Sequence, residues 1–315
     1  MMKDRLVALA AGVASAMLLL LALTGLPIAM LFLYTVPLPL YLIGLRQGLS
    51  GLILAGVIGT VVAGMVSGTI VAALGFLLLF AAPALTLVHH ALLSRTGGDG
   101  RKEWYPPGWL AGWLAAMAAL AMIVLDIALM GDGGGDGGGL EGHISRTLPE
   151  ALERLTGGNT PPDLLQRTEL WIGVFPAMLA CAWMGAGALN AGVAQNVLQK
   201  GAKALRPTPE YTLIEAPFWV LYALAAAAFL ALVGPGTLDY LGRNLAIIFA
   251  MPYFFVGLAT VHVLARRAKA RLGVLMTFYI LLIFLGLVGM FAVSALGLAE
   301  QFLRLRRKWP STRGA

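Results

Sequence analysis

The sequence predicts an all-α polytopic transmembrane helix bundle of eight or nine spans, and three observations carry that prediction. Charged residues make up 12% of the 315-residue chain and hydrophobic residues 59%, whereas a water-soluble domain carries about 25% charge. Apolar runs long enough to cross a hydrocarbon core as helices, roughly 20 residues, recur from one end of the chain to the other. The runs show no alternation with a period of two and are too long for barrel strands, so helices are what satisfies the backbone in lipid.

Nine candidate spans cover residues 6–24, 27–44, 49–67, 69–93, 108–130, 168–199, 212–233, 239–265 and 272–299. Lys3 and Arg5 give the first run the basic flank of a signal peptide, but no small-x-small cleavage site leads into a soluble stretch, so it reads as a retained span. The second contains Pro37 and Pro39 in "YTVPLPLYLIG" and is expected to kink or break there. Only "SGT" separates the third from the fourth. Four parts follow: an N-terminal bundle over 1–130, a glycine-rich linker with a short amphipathic helix over 131–166, C-terminal helices over 167–299, and a basic amphipathic tail over 300–315.

Basic residues fix an expected orientation. With the N-terminus in the cytoplasm, thirteen fall on the inner side: Lys3, Arg5, Arg46 and those of the 94–107, 200–211 and 266–271 loops. Only Arg146, Arg154, Arg167 and Arg243 fall outside. The formal net charge of +7 thus maps to short loops. That pattern speaks for topology and anionic lipid, not for a nucleic-acid face. The tail departs from the rule, because nine spans put Arg304, Arg306, Arg307, Lys308 and Arg313 outside. Leu298, Phe302, Leu305 and Trp309 make that tail read as one interfacial helix, which belongs on the cytoplasmic leaflet. Either the tail breaks the rule, or one segment is re-entrant and the count is eight; the proline-broken second segment is the suspect, but dropping it would move the N-terminal charges outside instead.

The linker opens with "GDGGGDGGGLEG", too poor in ordered ligands for a calcium loop. Beyond it, "SRTLPEALERL" reads as a short helix capped by Ser145 or Thr147, with Leu148, Leu152 and Leu155 on one face at the outer surface.

Small residues form continuous faces on several spans. Gly51, Ala55, Gly59, Ala63 and Ser67 repeat every four residues in the third, Ala8, Gly12 and Ala16 in the first, and Ala182, Ala186, Asn190 and Ala194 in the sixth. Such faces let helix backbones approach closely in lipid, either within the bundle or against a partner subunit. Polar residues inside spans are costly and mark candidate sites. Asp126 near the outer end of the fifth span, Asp239, Arg243 and Asn244 at the start of the eighth, and the aromatics Tyr34, Trp171 and Tyr253 would line an outward-opening pocket. Of these, Tyr34, Asp126, Trp171, Arg243 and Asn244 are the expected solute-binding residues; pairing of Asp239 with Arg243 and a belt role for the aromatics are the plainer readings.

The four histidines, His89, His90, His143 and His262, include no helical i, i+3 or i, i+4 pair, so no metal site is expected. The single cysteine, Cys181, excludes an intramolecular disulfide. No phosphate-binding loop, catalytic triad, paired-carboxylate arrangement or cofactor fingerprint is present, so the sequence points away from an enzyme.

Several stretches carry a resemblance: "GLRQGLSG" into the third span, a proline after "FAA" in the fourth, "EAPFWVLY", "GRNLAIIFAMPYFFVGLATVHVLARR" and "ALGLAEQFLRLRR". Over most of its length the chain resembles the YybS-like family of bacterial polytopic membrane proteins, with Asn244, Gly257 and the terminal "GLAEQFLRLR" as the best matches. The family pattern has aspartate where this chain has Glu300, and the glycine-rich linker departs from it. That family is similar, at a distance, to the substrate-binding S-components of energy-coupling factor transporters and to MreD. The resemblance implies an S-component-like N-terminal part whose first-span face, Ala8, Gly12 and Ala16, docks a coupling subunit; it transfers no substrate-binding residue.

Two functions are therefore expected: a module that binds or transports a small solute in the outer half of the bundle, or a non-transport scaffold that organises membrane or envelope proteins. Either places the chain in a bacterial inner membrane, in contact with lipid.

Overall fold

The computed structural model describes residues 2–24, 26–98, 100–130, 138–161, 168 and 171–308. The all-α polytopic bundle is what is seen. Among the described residues, seven helical stretches are long and apolar enough to cross a membrane: Met2–Ala22, Ile28–Gln47, Leu49–Ser67, Ile70–Leu92, Pro107–Leu129, Phe175–Lys200 and Thr237–Ala265. Phe218–Val233, Arg271–Leu285 and Leu287–Leu303 are shorter apolar helices. The chain divides into two compact units, Met1–Leu114 with Trp183–Glu215, and Ala115–Ala182 with Ala216–Ala315. This differs from the expected boundary at the glycine-rich stretch. The division falls inside two long helices, because the two halves of each pack against different neighbours.

The first unit begins with α1 (Met2–Ala22), α2 (Pro27–Met30), a 3-10 turn (Leu31–Thr35), α3 (Leu38–Gln47) and α4 (Leu49–Ser67). The break between α2 and α3 lies where Pro37 and Pro39 were expected to produce it, since neither offers an N–H. Ser15 Oγ donates to Val36 O, and Gln47 Nε2 to Asp4 O at 3.1 Å, so α1 and the 27–47 stretch run antiparallel. Gly12 lies directly on the Ala55 backbone and its carbonyl faces Gly59, which sets α1 parallel to α4.

The small-residue faces of α1 and α4 meet each other. Ala8, Gly12, Ala16, Gly51, Ala55, Gly59 and Ala63 are all buried. A Cβ on Gly12 would overlap the Ala55 carbonyl, so glycine sets the helix spacing. Of the two readings of the first-span face, packing within the bundle is the one seen, with Gly12 against α4 of the same chain.

Next come α5 (Ile70–Phe76), a π-turn (Leu77–Ala81) and α6 (Ala82–Leu92). Pro83 leaves the Leu79 carbonyl without its i+4 donor, and Trp183 Nε1 donates to that carbonyl at 2.8 Å. Gly64 against Ala73, Gly59 against Phe76 and Gly56 against Ala81 set this stretch antiparallel to α4. An antiparallel hairpin, β1 (Ser94–Thr96) and β2 (Lys102–Trp104), then leads into α7 (Pro107–Leu129). The C-terminal part of α9 (Phe175–Lys200) and the loop to Glu215 complete the unit.

The second unit holds α8 (Gly139–Leu155), α10 (Phe218–Val233), α11 (Thr237–Ala265), α12 (Arg271–Leu285), α13 (Leu287–Leu303) and the short α14 (Leu305–Lys308). Its axis is α11. Gly242 rests on the Leu230 and Ala231 backbone of α10; Gly257 meets Val293 and Gly297 meets Tyr253 on the α11–α13 contact. Pairing 257 with 293 and 253 with 297 makes α11 and α13 antiparallel. Contacts of Tyr240 with Ile172, Asn244 with Ala177 and Cys181 with Ile247 climb together, so α9 enters parallel to α11.

Three sequence expectations change here. The run 272–299 is not one span: Gly286, at φ +53°, separates α12 from α13. No residue of α12 is buried, while Gly289, Val293, Ser294, Gly297 and Glu300 of α13 are. The tail is not one continuous amphipathic helix either, since Arg304 adopts φ +49° and ends α13. Finally, the helix after the linker starts at Gly139, so Ser145 and Thr147 lie inside it and do not cap it. Trp309, Arg313 and the glycine-rich 131–137 segment lie outside the described residues.

Candidate functional site

Of the expected pocket residues of the second unit, Asn244 forms a polar knot with Tyr240 at the start of α11, and Tyr253 is buried with its hydroxyl unpartnered among the described residues. Asn244 is fully buried. Its Oδ1 accepts from Ala177 N at 3.0 Å, and its Nδ2 donates to Gly173 O and Tyr240 O, each at 2.9 Å. Tyr240 Oη donates to Ile172 O at 3.2 Å. Together these side chains hold residues 172–177, the entry to α9, whose first-turn N–H groups have no helical acceptor. Every polar atom of Asn244 is thereby engaged with backbone.

Asp126, 6% exposed, performs the corresponding task for α8. Its Oδ1 accepts from Leu140 N at 2.8 Å. A carboxylate at a helix N-terminus satisfies an orphan N–H and opposes the positive end of the dipole. The cap expected from Ser145 or Thr147 is supplied from α7 instead. Arg243 pairs with Asp239 at 3.0 Å, four residues apart and part-exposed, the plainer of the two readings. Trp171 is 44% exposed. In the first unit Tyr34 is also exposed and contributes its carbonyl, not its ring, to Asn190 Nδ2 at 2.6 Å.

Glu300 and Arg306 were not expected to meet. Their side chains are 4% and 8% exposed, and Arg306 Nε donates to Glu300 Oε1 at 2.9 Å. Arg306 N also donates to both carboxylate oxygens at 3.2 Å. The left-handed turn at Arg304 is what folds α14 back onto this carboxylate. One cation of the tail is therefore neutralised inside the unit, which lessens the conflict with the positive-inside rule.

The first unit carries a different concentration of groups, around its β-hairpin. A cavity of about 400 Å³ is lined by Leu93, Ser94, Arg95, Trp104, Tyr105 and Trp109, among others. Arg95 pairs with Glu103 at 2.7 Å across the hairpin. The Lys102 ammonium sits 4.2 Å from the centre of the Trp104 ring, and the Arg206 guanidinium lies 5.6 Å from it. Arg206, 6% exposed, donates through Nη1 to Ala91 O at 2.8 Å and, more weakly, to Tyr105 O at 3.5 Å. Gln195 Nε2 donates to Arg206 O and Leu205 N to Leu45 O, which binds the 201–215 loop across the ends of α3 and α6. Arg206 Nε has no hydrogen-bond partner among the described residues. Burial pushes the Arg206 pKa below its ordinary value, and nearby Tyr211 opposes the shift.

Periodicity could not reveal this cluster, because its members come from a turn, a strand and a loop with no shared repeat. The one available signal was the density of Trp and Tyr beside Arg and Lys in "RKEWYPPGW". Among the described residues no group of three or more His, Cys, Asp or Glu side chains is placed to hold a metal ion.

No curated protein and no solved structure matches the chain. A family model described as "Predicted membrane protein (DUF2232)" matches residues 163–300, a stretch that ends at Glu300 and contains α9, Asn244 and the α11–α13 contact.

Proposed function

We propose that this integral membrane protein is a non-transport scaffold, MreD-like in kind, that organises other membrane or envelope proteins. One observation carries the reading. Three of the polar side chains expected to bind a solute are engaged by the fold: Asn244 by the 173–177 and Tyr240 backbone, Asp126 by Leu140 N and Arg243 by Asp239, which leaves the buried Tyr253 hydroxyl as the one without a partner among the described residues. A solute site would need such groups to converge, unpaired, on one cavity. The basic loops favour a bacterial inner membrane with a cytoplasmic N-terminus. In that orientation the hairpin, with its aromatic and basic side chains, faces the cytoplasm.

The test is native mass spectrometry of the full chain purified from its own membrane in mild detergent. A protein partner at fixed stoichiometry, retained after the Arg243→Gln change, supports the scaffold. A small solute held at one per chain, and lost on changing Arg243 or Trp171, replaces it with the S-component-like transport reading.

A further inference from the structure

The helix α12 starts and ends at the same end of α11. On the antiparallel α11–α13 contact Val293 meets Gly257 and Gly297 meets Tyr253. Leu287, the first residue of α13, is therefore level with Val263, just before α11 ends at Ala265. At its other end α12 is separated from Ala265 only by residues 266–270. These are folded by turn bonds from Arg266 N to Val263 O, Arg267 N to Leu264 O and Ala268 N to Ala265 O. The middle of α12 is tied to the same place. Tyr279 Oη donates to His262 Nε2 at 3.4 Å, while His262 Nδ1 donates to Leu258 O at 2.9 Å. A helix of 15 residues is about 22 Å long, and the hydrocarbon core is about 30 Å thick. With both ends and the middle held at the last turns of α11, α12 does not reach the other side.

No residue of α12 is buried. Leu275, Phe278 and Leu282 are half-buried, at the i, i+3, i+7 spacing of one face, and the rest is exposed, up to 90% at Phe284. Between Leu272 and Leu285 only Thr277 and Tyr279 are polar, so α12 lacks the hydrophilic face with which an interfacial helix meets water. Gly273 aside, it also lacks the small residues through which α1 meets α4 and α11 meets α13. Its exposed side is mostly Leu, Met, Ile and Phe, which suits acyl chains and not a second helix. The segment leading into it exposes Arg266, Arg267, Lys269 and Arg271 and holds no carboxylate, which matches anionic headgroups. We propose that α12 lies along the membrane within one leaflet, beneath anionic phospholipid headgroups held by the 266–271 cations. The proposal stands apart from the scaffold reading, since a helix lying in one leaflet is compatible with either class of function.

Label depth and lipid contact test it. Leu272 and Ile283 lie on the same side of α12, roughly 16 Å apart along its axis. In a Cys181→Ala background, the full chain carrying Leu272→Cys or Ile283→Cys is spin-labelled and reconstituted in equal parts of phosphatidylcholine and phosphatidylglycerol. The two depths, read from accessibility to oxygen and to a nickel chelate, should agree within one helical turn, about 5 Å. A label at Ile283 deeper than that at Leu272 by roughly the full 16 Å means that α12 enters the membrane end-on, and overturns the proposal. A fluorophore on Leu272→Cys should be quenched more by brominated phosphatidylglycerol than by brominated phosphatidylcholine at the same fraction. Lys269→Gln should cut that preference by up to about fivefold, while Arg95→Gln leaves it unchanged. Leu272, Ile283 and Lys269 are exposed, so these variants keep the fold, which the thermal transition verifies. Equal quenching by the two lipids, or a preference that survives loss of Lys269, overturns the proposal. Absence of quenching by either also overturns it, because a protein surface would then cover the helix.

Discussion

Asn244 Oδ1 accepts a buried hydrogen bond from Ala177 N at 3.0 Å, and this bond joins two helices 67 residues apart in sequence. It is the point at which α11 holds the first turn of α9. Because Nδ2 serves Gly173 O and Tyr240 O as well, one side chain satisfies three backbone groups.

Replacing Asn244 with leucine keeps the branching at Cγ, adds some volume and removes all three bonds. Each buried backbone group left without a partner costs about 1–3 kcal/mol, so the thermal transition of the purified protein should fall by several degrees. Asn244→Asp keeps an acceptor for Ala177 N but turns a second oxygen toward Gly173 O and Tyr240 O in a buried site, so it should also lower the transition. A Leu variant as stable as the parent would remove Asn244 from the framework.

The α11–α13 contact depends on Gly297. A Cβ there would overlap Tyr253 O, a backbone atom that cannot move aside. Gly297→Val should destabilise the second unit by roughly 3 kcal/mol, in the upper range for overpacking. Gly273 of α12, which meets only Ala270 Cβ at 3.9 Å, is the control in the same unit: Gly273→Ala should be neutral or slightly stabilising. Differential scanning fluorimetry with a thiol-reactive dye on buried Cys181 reads both, since Cys181 packs beside Ile247 of α11.

Breaking the Glu300–Arg306 pair from one side leaves a buried charge. Glu300→Gln should cost about 3–5 kcal/mol. Glu300→Gln combined with Arg306→Met should recover much of that loss. Protease sensitivity just after Leu303 provides the second readout, because α14 is held by this carboxylate. If the single and double variants are equally unstable, the pair does not secure the tail.

Antiparallel packing of α13 on α11 sends the chain's end back toward the Asp239–Arg243 end of α11, away from Arg266. In a Cys181→Ala background, cysteines at Leu238 and Arg304 should be labelled by an impermeant maleimide from one side of the membrane. A cysteine at Arg266 should be labelled from the other. Labelling of Arg304 and Arg266 from the same side would mean that α13 does not cross, and would restore eight spans over nine.

How far the sequence could be read follows a physical divide. Helix periodicity, run length and proline position act within one or two turns, so they were legible: the spans, the break at Pro37–Pro39 and the small-residue faces are written locally. Pro83 shows the limit. Its missing N–H was visible, but not that Trp183, 104 residues from Leu79, answers the freed carbonyl. Asp126 and Asn244 stood out as costly polar groups in apolar runs. Their partners were not legible, because a buried polar side chain is satisfied by whichever backbone group the packing brings to it.

By itself, then, the sequence determined that the chain is a membrane bundle of helices and which faces of those helices can approach closely. Tertiary structure alone decided which face meets which: α1 finds α4 rather than another subunit, Asp126 caps a helix, Glu300 holds Arg306, and Gly286 divides the last apolar run. In lipid, apolarity drives a helix into the membrane without selecting its neighbour. Selection falls to close backbone contacts and to polar groups with no water to turn to, and both depend on residues far apart in the chain.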